Sequence, residues 1–483
     1  MPAPDAYRAL PRDSAAWLGV ATSLLAIAAL LIAFRHRFDY AFELIEIPSV
    51  QVAAGLAIAG AVYLTLPRLI ARATAAPAAD ARRLLALVVG VGLVLRLMMF
   101  AVNPVLEDDY HRYLWDGAVT AHGLDPYAVS PEDAALEDET VRSRLAADAG
   151  VIMDRINHPG LRTIYPPVAQ AAFAVAHLIQ PWSITAWRGV CLVADATTLA
   201  LLLALLQASG RSPLWSALYW WNPVVVKELI NSAHMEAILM PLVLGALLLA
   251  VRRRPVSAIG VLGLAVGTKL WPIILAPLIL RPLLADARRL AIAAGLLAAL
   301  CVAWAVLPLR SGLDDTSGFV AYAQRWQTNS ALFPVLEGLA SRALGPLALD
   351  EHLPGLLVRA AMAAIVLALA LRLSIVPWDG ALDLVTRAGL VVVVMLLLSP
   401  AQFPWYFVWV LPFLAFRPSM ALLTLSVTMP IYYASFYFHA RDTYDVFRTW
   451  VVWGVWLPVW ALLLREFHAW QRTGALPTGD PHA

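Results

Sequence analysis

Long apolar stretches alternate with short polar segments along most of the chain. A helix of about 20 apolar residues crosses a hydrocarbon layer about 30 Å thick and satisfies its own backbone hydrogen bonds there. Stretches that reach or approach this length lie at about 15–34, 50–67, 84–102, 184–207, 213–230, 234–251, 255–268, 271–284, 289–308, 354–374, 386–398, 405–416, 419–438 and 446–464. The pattern predicts an all-α polytopic membrane protein with a bundle of roughly 12–14 transmembrane helices, some of them broken or re-entrant.

The composition supports this interpretation. Hydrophobic residues make up 61% of the 483 positions and charged residues only 14%, whereas soluble globular proteins carry about 25% charged residues. So few charges cannot cover a water-soluble surface of this size. Cytosolic enzymes, free nucleic-acid binders and disordered scaffolds are therefore excluded.

Clusters of arginine predict which side of the membrane each loop faces. Cytoplasmic loops are enriched in basic residues, and such clusters occur at 68–83, 252–254 and 281–289. If the short run 166–180, which lies between prolines, crossed the membrane, the arginine-rich loop at 252–254 would fall on the outer side. This run is therefore predicted to be a helix at the outer interface. Both termini are then predicted to be cytoplasmic, in a multi-pass protein of the cytoplasmic (inner) membrane.

This topology divides the chain into three predicted regions with two long outer loops, which carry short interfacial helices. The regions are two N-terminal transmembrane helices at 1–83, a transmembrane catalytic domain at 84–464 with outer loops at 103–183 and 309–353, and a cytoplasmic tail at 465–483.

The first outer loop begins with an acidic and aromatic string, EDDYHRYLWDG, at residues 107–117. Adjacent carboxylates repel each other, so Asp108 or Asp109 is expected to have a raised pKa. Such a group can act as the general base on a sugar hydroxyl, and the pair can also hold a divalent cation such as Mg²⁺ or Mn²⁺. The alternative is a solvated acidic cap at the start of a helix. The nearby Tyr110 and Tyr113 suit sugar stacking or an interfacial aromatic belt equally.

Several segments resemble bacterial glycosyltransferases of the GT-C superfamily, especially the mannosyltransferase-like members that use polyprenyl-phosphate sugars. The stretch EDDYHRYLWDGAVTAHGLDPYAVSPED and the later INHPGLRTIYPPVAQ, WNPVVVKELINSAHMEA, GTKLWP and SPAQFPWYFVWVLPF occur in the family's order. The resemblance implies a GT-C-like fold and places the catalytic acid at Asp108 or Asp109. The family pattern usually follows the first span and here follows the third, which implies two added N-terminal helices.

A lipid-phosphate donor at the outer face requires cations near that membrane surface. The only two lysines of the chain, Lys227 and Lys269, are predicted at the outer level, and Arg96 can extend to it. These three residues are predicted to bind the donor phosphate. The alternative is that they bind no ligand and only extend their charged groups to the membrane surface, as basic residues near helix ends often do. Asp195 lies within a span, and pairing with Arg188 is preferred slightly over a functional role.

Other polar and aromatic residues are expected to line the substrate site, namely Tyr110, Arg112, Tyr113, Asp116, His158, Tyr165, Glu228, His234 and Glu236. By contrast, Trp405, Tyr406 and Trp409 are interpreted as aromatic-belt residues rather than sugar platforms.

Taken together, the residues and the resemblance predict a membrane glycosyltransferase. It would move a hexose such as mannose from a polyprenyl-phosphate carrier to a hydroxyl of a glycan or lipid acceptor at the outer face, by inverting displacement with an Asp base. A secondary transporter or flippase is the alternative from another class, because such proteins also have broken helices and intramembrane charges. A non-catalytic lipid-carrier-binding relative is the third.

Overall fold

The computed structural model describes residues 14–38, 42–74, 78–345 and 352–473 as a helical chain, with no strand within these ranges. Its α-helices of six residues or more are α1 (Ser14–Ala33), α2 (Ser49–Tyr63), α3 (Leu66–Thr74), α4 (Ala78–Met99), α5 (Asp109–Ala121), α6 (Pro131–Leu136), α7 (Val141–Ala149), α8 (Pro167–Ile179), α9 (Ile184–Ala208), α10 (Glu236–Val251), α11 (Pro255–Val266), α12 (Ala287–Arg310), α13 (Gly318–Arg325), α14 (Leu332–Leu344), α15 (Leu353–Ile375), α16 (Gly380–Leu398) and α17 (Val452–Thr473). The predicted all-α architecture is confirmed.

The described residues contain fewer helices of full spanning length than the roughly 12–14 predicted, some of which were expected to be broken or re-entrant. Within the described ranges, eight helices are long and apolar enough to cross a membrane, and a ninth is counted if one bent pair forms a single span. The eight are Ser14–Ala33, Ser49–Thr74, Ile184–Ala208, Ala287–Arg310, Leu353–Ile375, Gly380–Leu398, Met420–His439 and Tyr444–Arg472. A polytopic membrane protein is therefore confirmed, with fewer helices of full length.

Prolines explain why two of the expected spans fail. A proline removes a backbone donor and moves the residue before it out of the helical region. In the predicted span 213–230, Asn222 is extended before Pro223 and its side chain accepts from the backbone N–H groups of Val224 and Val225. The expected span 405–416 is likewise divided into short helices.

Residues 465–473, the described part of the predicted cytoplasmic tail, continue the helix of the last predicted span. Helix α17 continues to Thr473, and Glu466 within it is buried. The Glu466 carboxylate accepts hydrogen bonds from Ser419 Oγ at 2.7 Å and from the Ala421 backbone N–H at 3.0 Å. Parts of the predicted regions lie outside the described residues: 1–13, 39–41 and 75–77 of the N-terminal region, 346–351 of the second outer loop and 474–483 of the tail.

The predicted first outer loop is itself mostly helical, and it packs on the bundle through α5 and α8. These two helices approach closely at Gly117, where an added Cβ would lie 2.5 Å from the Phe173 carbonyl oxygen. Helix α8 confirms the helix expected at 166–180. It buries Phe173 and leaves Leu178 and Ile179 exposed, which suits a helix lying at an interface.

The two predicted outer loops meet at Arg162. Its guanidinium donates to the carbonyl oxygens of Ser311 and Gly312 and forms an ion pair with Asp314 at 2.9 Å. The backbone N–H of Arg162 also donates to Thr316 O at 2.8 Å. Both loops therefore lie at the same end of the bundle, where they enclose the site described next.

Candidate active site

A cavity of about 920 Å³ lies between the loop residues that follow α4 and the segment containing α13. The predicted site residues that line it are Asp108, Asp109, Arg112, Tyr113, His158, Tyr165, Glu236 and Lys269. The other predicted site residues do not line it, and these are Arg96, Tyr110, Asp116, Lys227, Glu228 and His234. The structure thus brings together most of the residues predicted from two distant parts of the chain.

Three consecutive carboxylates stand at the edge of the cavity. The Asn157 side-chain amide donates to Asp108 Oδ1 and to Asp109 Oδ1, at 2.9 Å in each case. Glu107 Oε1 accepts from the backbone N–H groups of the next two residues at 3.1 and 3.2 Å. The Asp108 side chain is exposed to the cavity. Asn157 therefore fixes the two aspartates while leaving Asp108 accessible.

His234 lies directly behind these carboxylates. Its Nε2 is 2.9 Å from Glu107 Oε2 and 3.5 Å from Glu228 Oε2, and its Nδ1 is 3.8 Å from Asp109 Oδ2. The ring stacks on Trp405 with centroids 3.9 Å apart. The imidazole thus ties the first-loop carboxylates to the bent segment that carries His234.

Glu107, Asp109 and His234 also form a donor set for a cation, since one ligand atom from each lies within 4.8 Å of the others. This set differs from the predicted pair of Asp108 and Asp109. Asp109 is common to both, while Glu107 and His234 take the place of Asp108. Two carboxylates and an imidazole are ligands that suit Mn²⁺.

The three carboxyl groups differ in their affinity for protons. Partial loss of hydration inside the cavity raises the pKa of Asp108 to about 7, and the charges of Glu107 and Asp109 add to this effect. Burial and the charge of Glu107 also raise the pKa of Asp109 to about 6. Burial opposes ionisation of Glu107 as well, but the charges of His234 and Lys227 outweigh it and lower its pKa to about 2. The raised pKa values of Asp108 and Asp109 agree with the expectation from adjacent acids in the sequence.

Lys227 occupies a separate, buried cluster rather than the predicted place at the cavity. Its ammonium group contacts the Tyr433 hydroxyl and lies 3.5 Å from Glu228 Oε2. Tyr433 Oη donates to Glu228 Oε1 at 2.6 Å. Lys227 lies in the π-helical turn Val226–Asn231, is 3% exposed and does not line the cavity.

Arg96 also lies away from the cavity. Its Nε is 2.5 Å from Asp195 Oδ2, both side chains are fully buried, and Tyr219 Oη donates to Asp195 Oδ1 at 2.5 Å. The expected pairing of Asp195 with Arg188 is wrong, because Arg188 donates to the Asn231 carbonyl oxygen. An Arg96 side chain held in this way is not available to a donor phosphate in the cavity.

Arg112 lines the cavity, and Asp116 supports it from behind. Arg112 Nε donates to Asp116 Oδ1 and Nη1 to the Leu161 carbonyl oxygen, both at 2.9 Å. The second oxygen of Asp116 accepts from Thr163 Oγ1 and Gln170 Nε2. Asp116 is only 1% exposed, so its contacts attach the returning chain to α5 instead of contacting a substrate.

Tyr113 and Tyr165 line the inner wall of the cavity. The Tyr113 ring stacks on Phe173 with centroids 4.7 Å apart and meets Tyr165 edge-on at 5.0 Å. Tyr110, predicted to line the substrate site, is buried beside His111 and lies outside the lining.

The interpretation of Trp405, Tyr406 and Trp409 as belt residues is wrong. All three are buried and line the cavity, with exposed fractions of 8%, 4% and 4%. Lys269 Nζ lies 4.3 Å from the Tyr406 ring centroid and 4.9 Å from that of Trp409, and it forms an ion pair with Glu236 at 2.6 Å. The chain brings these rings inward because short helices replace the expected straight span.

Sequence reasoning missed two polar residues of this site, Asn157 and Glu107. Both lie in the segments that carry the family resemblance, and each adjoins a residue that was predicted. A lone Asn in a loop carries no chemical signal of its own, and the close contact between Glu107 and His234 joins residues 127 positions apart.

Comparison with known proteins identifies the family. A family model described as alpha-(1->6)-mannopyranosyltransferase, N-terminal domain, matches residues 16–285. That range covers more than half of the chain and includes the carboxylates, His234 and Lys269. The chain belongs to this family.

Two curated members of the alpha-(1->6)-mannopyranosyltransferase family from Corynebacterium glutamicum resemble the chain. Alpha-(1->6)-mannopyranosyltransferase B is 26% identical over 342 residues, which are 63% of this chain and 54% of that protein. Alpha-(1->6)-mannopyranosyltransferase A is 25% identical over 181 residues, 36% of this chain and 34% of that protein. The matched part thus spans about half the length of the first relative and about a third of the second. No solved structure matches the chain.

The family match confirms the predicted resemblance to GT-C-like mannosyltransferases. Because it begins at residue 16, it also includes α1 and α2. These N-terminal helices therefore belong to the domain that defines this family.

Proposed function

We propose that this protein transfers a mannosyl group from a polyprenyl-phosphate carrier to an acceptor hydroxyl, with inversion at the anomeric carbon. The observation that carries the proposal is the pair Asp108 and Asp109, oriented by Asn157 at the edge of a cavity of about 920 Å³. The names of the relatives support mannose as the sugar. The cavity is large enough for a sugar donor and an acceptor to meet beside the carboxylates.

The apolar end of the cavity suits the lipid part of the donor. Leu270 and Ile273 line the cavity and are also 53% and 43% exposed on the molecular surface, so this apolar part of the lining is accessible from outside the protein. Met395 lines the same region. An isoprenoid chain can lie along this wall with its phosphate toward Lys269, which directly precedes Leu270.

The proposed reaction requires one proton acceptor and one stabilised leaving group. Asp108 or Asp109 takes the proton of the acceptor hydroxyl as its oxygen forms a bond to the anomeric carbon. The bond from that carbon to the phosphate oxygen breaks, and its electron pair leaves with the polyprenyl phosphate. Lys269 neutralises the departing phosphate. Of the three cations predicted for this role, Lys269 is the one that lines the cavity.

A divalent cation is part of the proposal, held by Glu107, Asp109 and His234. When bound, it would supply positive charge beside the developing phosphate charge. The protein itself holds Asp109 between the Asn157 amide and the His234 imidazole. Asp108 contacts the same amide and is exposed to the cavity.

We further propose that the protein lies in the cytoplasmic membrane with both termini in the cytoplasm and the cavity at the outer face. The arginine clusters support this orientation. At the outer face nucleotide sugars are absent, which favours a lipid-linked donor. A glycan or lipid acceptor would reach the cavity from the aqueous side.

The test uses purified full-length protein in lipid nanodiscs with radiolabelled polyprenyl-phosphate mannose and an alkyl α-mannoside acceptor. We expect labelled disaccharide, with the anomeric configuration opposite to that of the donor. Asp108→Asn and Asp109→Asn are made singly. We expect at least one of these two variants to show a severe loss of transfer. Asp148→Asn, an exposed acid of the same loop, is the matched control and should be fully active.

Full turnover in both aspartate variants would refute the base assignment. A transporter or flippase would instead move the labelled lipid across sealed vesicles without forming a disaccharide. The transporter alternative rests on the bend of 117° between Pro223–Asn231 and α10, because transporters form their binding sites at such broken helices. Binding of the lipid without transfer or movement would identify a non-catalytic relative.

A further inference from the structure

One end of the cavity carries a wall of aromatic rings. His158, Trp326 and Tyr322 all line the cavity. The ring centroids of His158 and Trp326 are 4.8 Å apart, and those of Trp326 and Tyr322 are 6.0 Å apart. We call these three rings the rim wall. It combines one residue of the first loop with two residues of the second.

The second-loop part of the rim wall is held from two sides. The Trp326 carbonyl oxygen accepts a hydrogen bond from Arg359 Nη1 at 3.1 Å. The hydroxyls of Tyr322 and Tyr406 are 2.9 Å apart. These contacts hold the Trp326 backbone to α15 and the Tyr322 hydroxyl to Tyr406.

The first-loop part is coupled to the candidate base. His158 directly follows Asn157, whose amide orients Asp108 and Asp109. The backbone of His158 has φ +50°, a left-handed conformation that few non-glycine residues adopt. Such strain is found preferentially where a site requires it. It places the exposed His158 ring against Trp326, one residue from the amide that sets the carboxylates.

The two ends of the cavity differ in chemistry. One part of the lining is aliphatic, and its Leu270 and Ile273 are also exposed on the molecular surface, as an isoprenoid chain requires. The rim wall is aromatic and has polar edges, which suits a sugar ring, because such a ring presents an apolar C–H face to stack and hydroxyls to bond. Asp108 also lines the cavity, and its carboxylate accepts from Asn157, the residue before His158.

We propose that the rim wall is the subsite for the acceptor, and that the acceptor is a glycan whose terminal sugar packs on Trp326 with a hydroxyl toward Asp108. This assignment rests on the proposed function and specifies which wall holds which substrate. His158 and Trp326 bind the acceptor, and the Leu270 end binds the donor lipid.

The test compares Trp326→Leu with Trp450→Leu, since Trp450 is 73% exposed and does not line the cavity. The probes are radiolabelled polyprenyl-phosphate mannose and an octyl α-(1→6)-mannobioside. We expect Trp326→Leu to raise the acceptor KM about tenfold, the factor that corresponds to about 1.4 kcal/mol. The donor KM and the slow hydrolysis of donor by water should stay unchanged. Trp326→Phe and His158→Leu should give smaller increases in the same constant.

Several outcomes would overturn the assignment. One is a Trp326→Leu protein with a raised donor KM and an unchanged acceptor KM. Another is an acceptor KM that is the same in all variants and the wild type. Direct binding of the mannobioside, measured by saturation-transfer NMR on the nanodisc protein, gives a readout that does not need turnover. Loss of this binding in Trp326→Leu but not in Trp450→Leu supports the subsite, while equal binding or none in the wild type overturns it. Absence of transfer and hydrolysis in the wild type would count against the proposed function instead.

Discussion

Replacing Arg96 by Met separates the structural role of this residue from the phosphate-binding role that its sequence position suggests. The substitution removes the ion pair with Asp195 and the hydrogen bonds from Nη1 to the carbonyl oxygens of Gly92 at 3.0 Å and Trp220 at 2.7 Å. Asp195 then stays fully buried with Tyr219 as its remaining side-chain donor. Removing one partner of a buried pair costs about 3–5 kcal/mol. We expect a loss of that size in the free energy of unfolding.

A second substitution supplies the internal control. Asp195→Asn added to Arg96→Met removes the unpaired charge and keeps an oxygen that accepts from Tyr219. We expect the double variant to recover more than half of the lost stability. Arg289→Met is the matched control, because its side chain is 70% exposed and its ion pair lies at the surface, where such pairs contribute about 0–1 kcal/mol.

The assay is thermal unfolding of the purified proteins in detergent, followed by tryptophan fluorescence, together with the donor KM of each variant. A double variant no more stable than Arg96→Met would refute the buried-pair argument. An Arg96→Met protein with an unchanged unfolding midpoint and a raised donor KM would favour the phosphate role instead.

Four further predictions follow from the structure. Asn157→Ala should lower kcat by about 100-fold without changing the unfolding midpoint, since a misplacement of about 1 Å has that effect; an unchanged kcat would show that the amide does not orient the base. Lys269→Met should raise the donor KM about tenfold through loss of a charged contact to phosphate, and a change confined to the acceptor KM would move the phosphate site elsewhere. Treatment with EDTA should abolish transfer, with Mn²⁺ restoring it better than Mg²⁺; full turnover in EDTA would remove the cation from the proposal. Gly117→Ala should destabilise the protein by about 1–3 kcal/mol, because its Cβ would lie 2.5 Å from the Phe173 carbonyl oxygen, whereas Gly19→Ala meets nothing within 4 Å. Equal effects of these two glycine substitutions would contradict the packing argument.

The sequence alone determined that this is an all-α membrane protein and where its chemistry is concentrated. Partition of a helix into lipid depends on the summed hydropathy of about 20 neighbouring residues, which is a local property that a sequence states directly. The acidic string at 107–117 was recognisable for the same reason, because its carboxylates are adjacent in the chain. Asp108, Asp109, Lys269 and Glu236, which were predicted as site residues, line one cavity in the structure, and their roles there stay predictions.

The tertiary structure alone decided which charges meet. Arg96 pairs with Asp195, and Glu107 with His234, across separations of 99 and 127 residues. Lys227 and Lys269 were equivalent in the sequence, yet a π-helical turn directs the first into a buried cluster with Tyr433. The physical reason is the same in each case. The free energy of a buried charge depends on the partners within a few ångströms, and here those partners come from segments far apart in the chain.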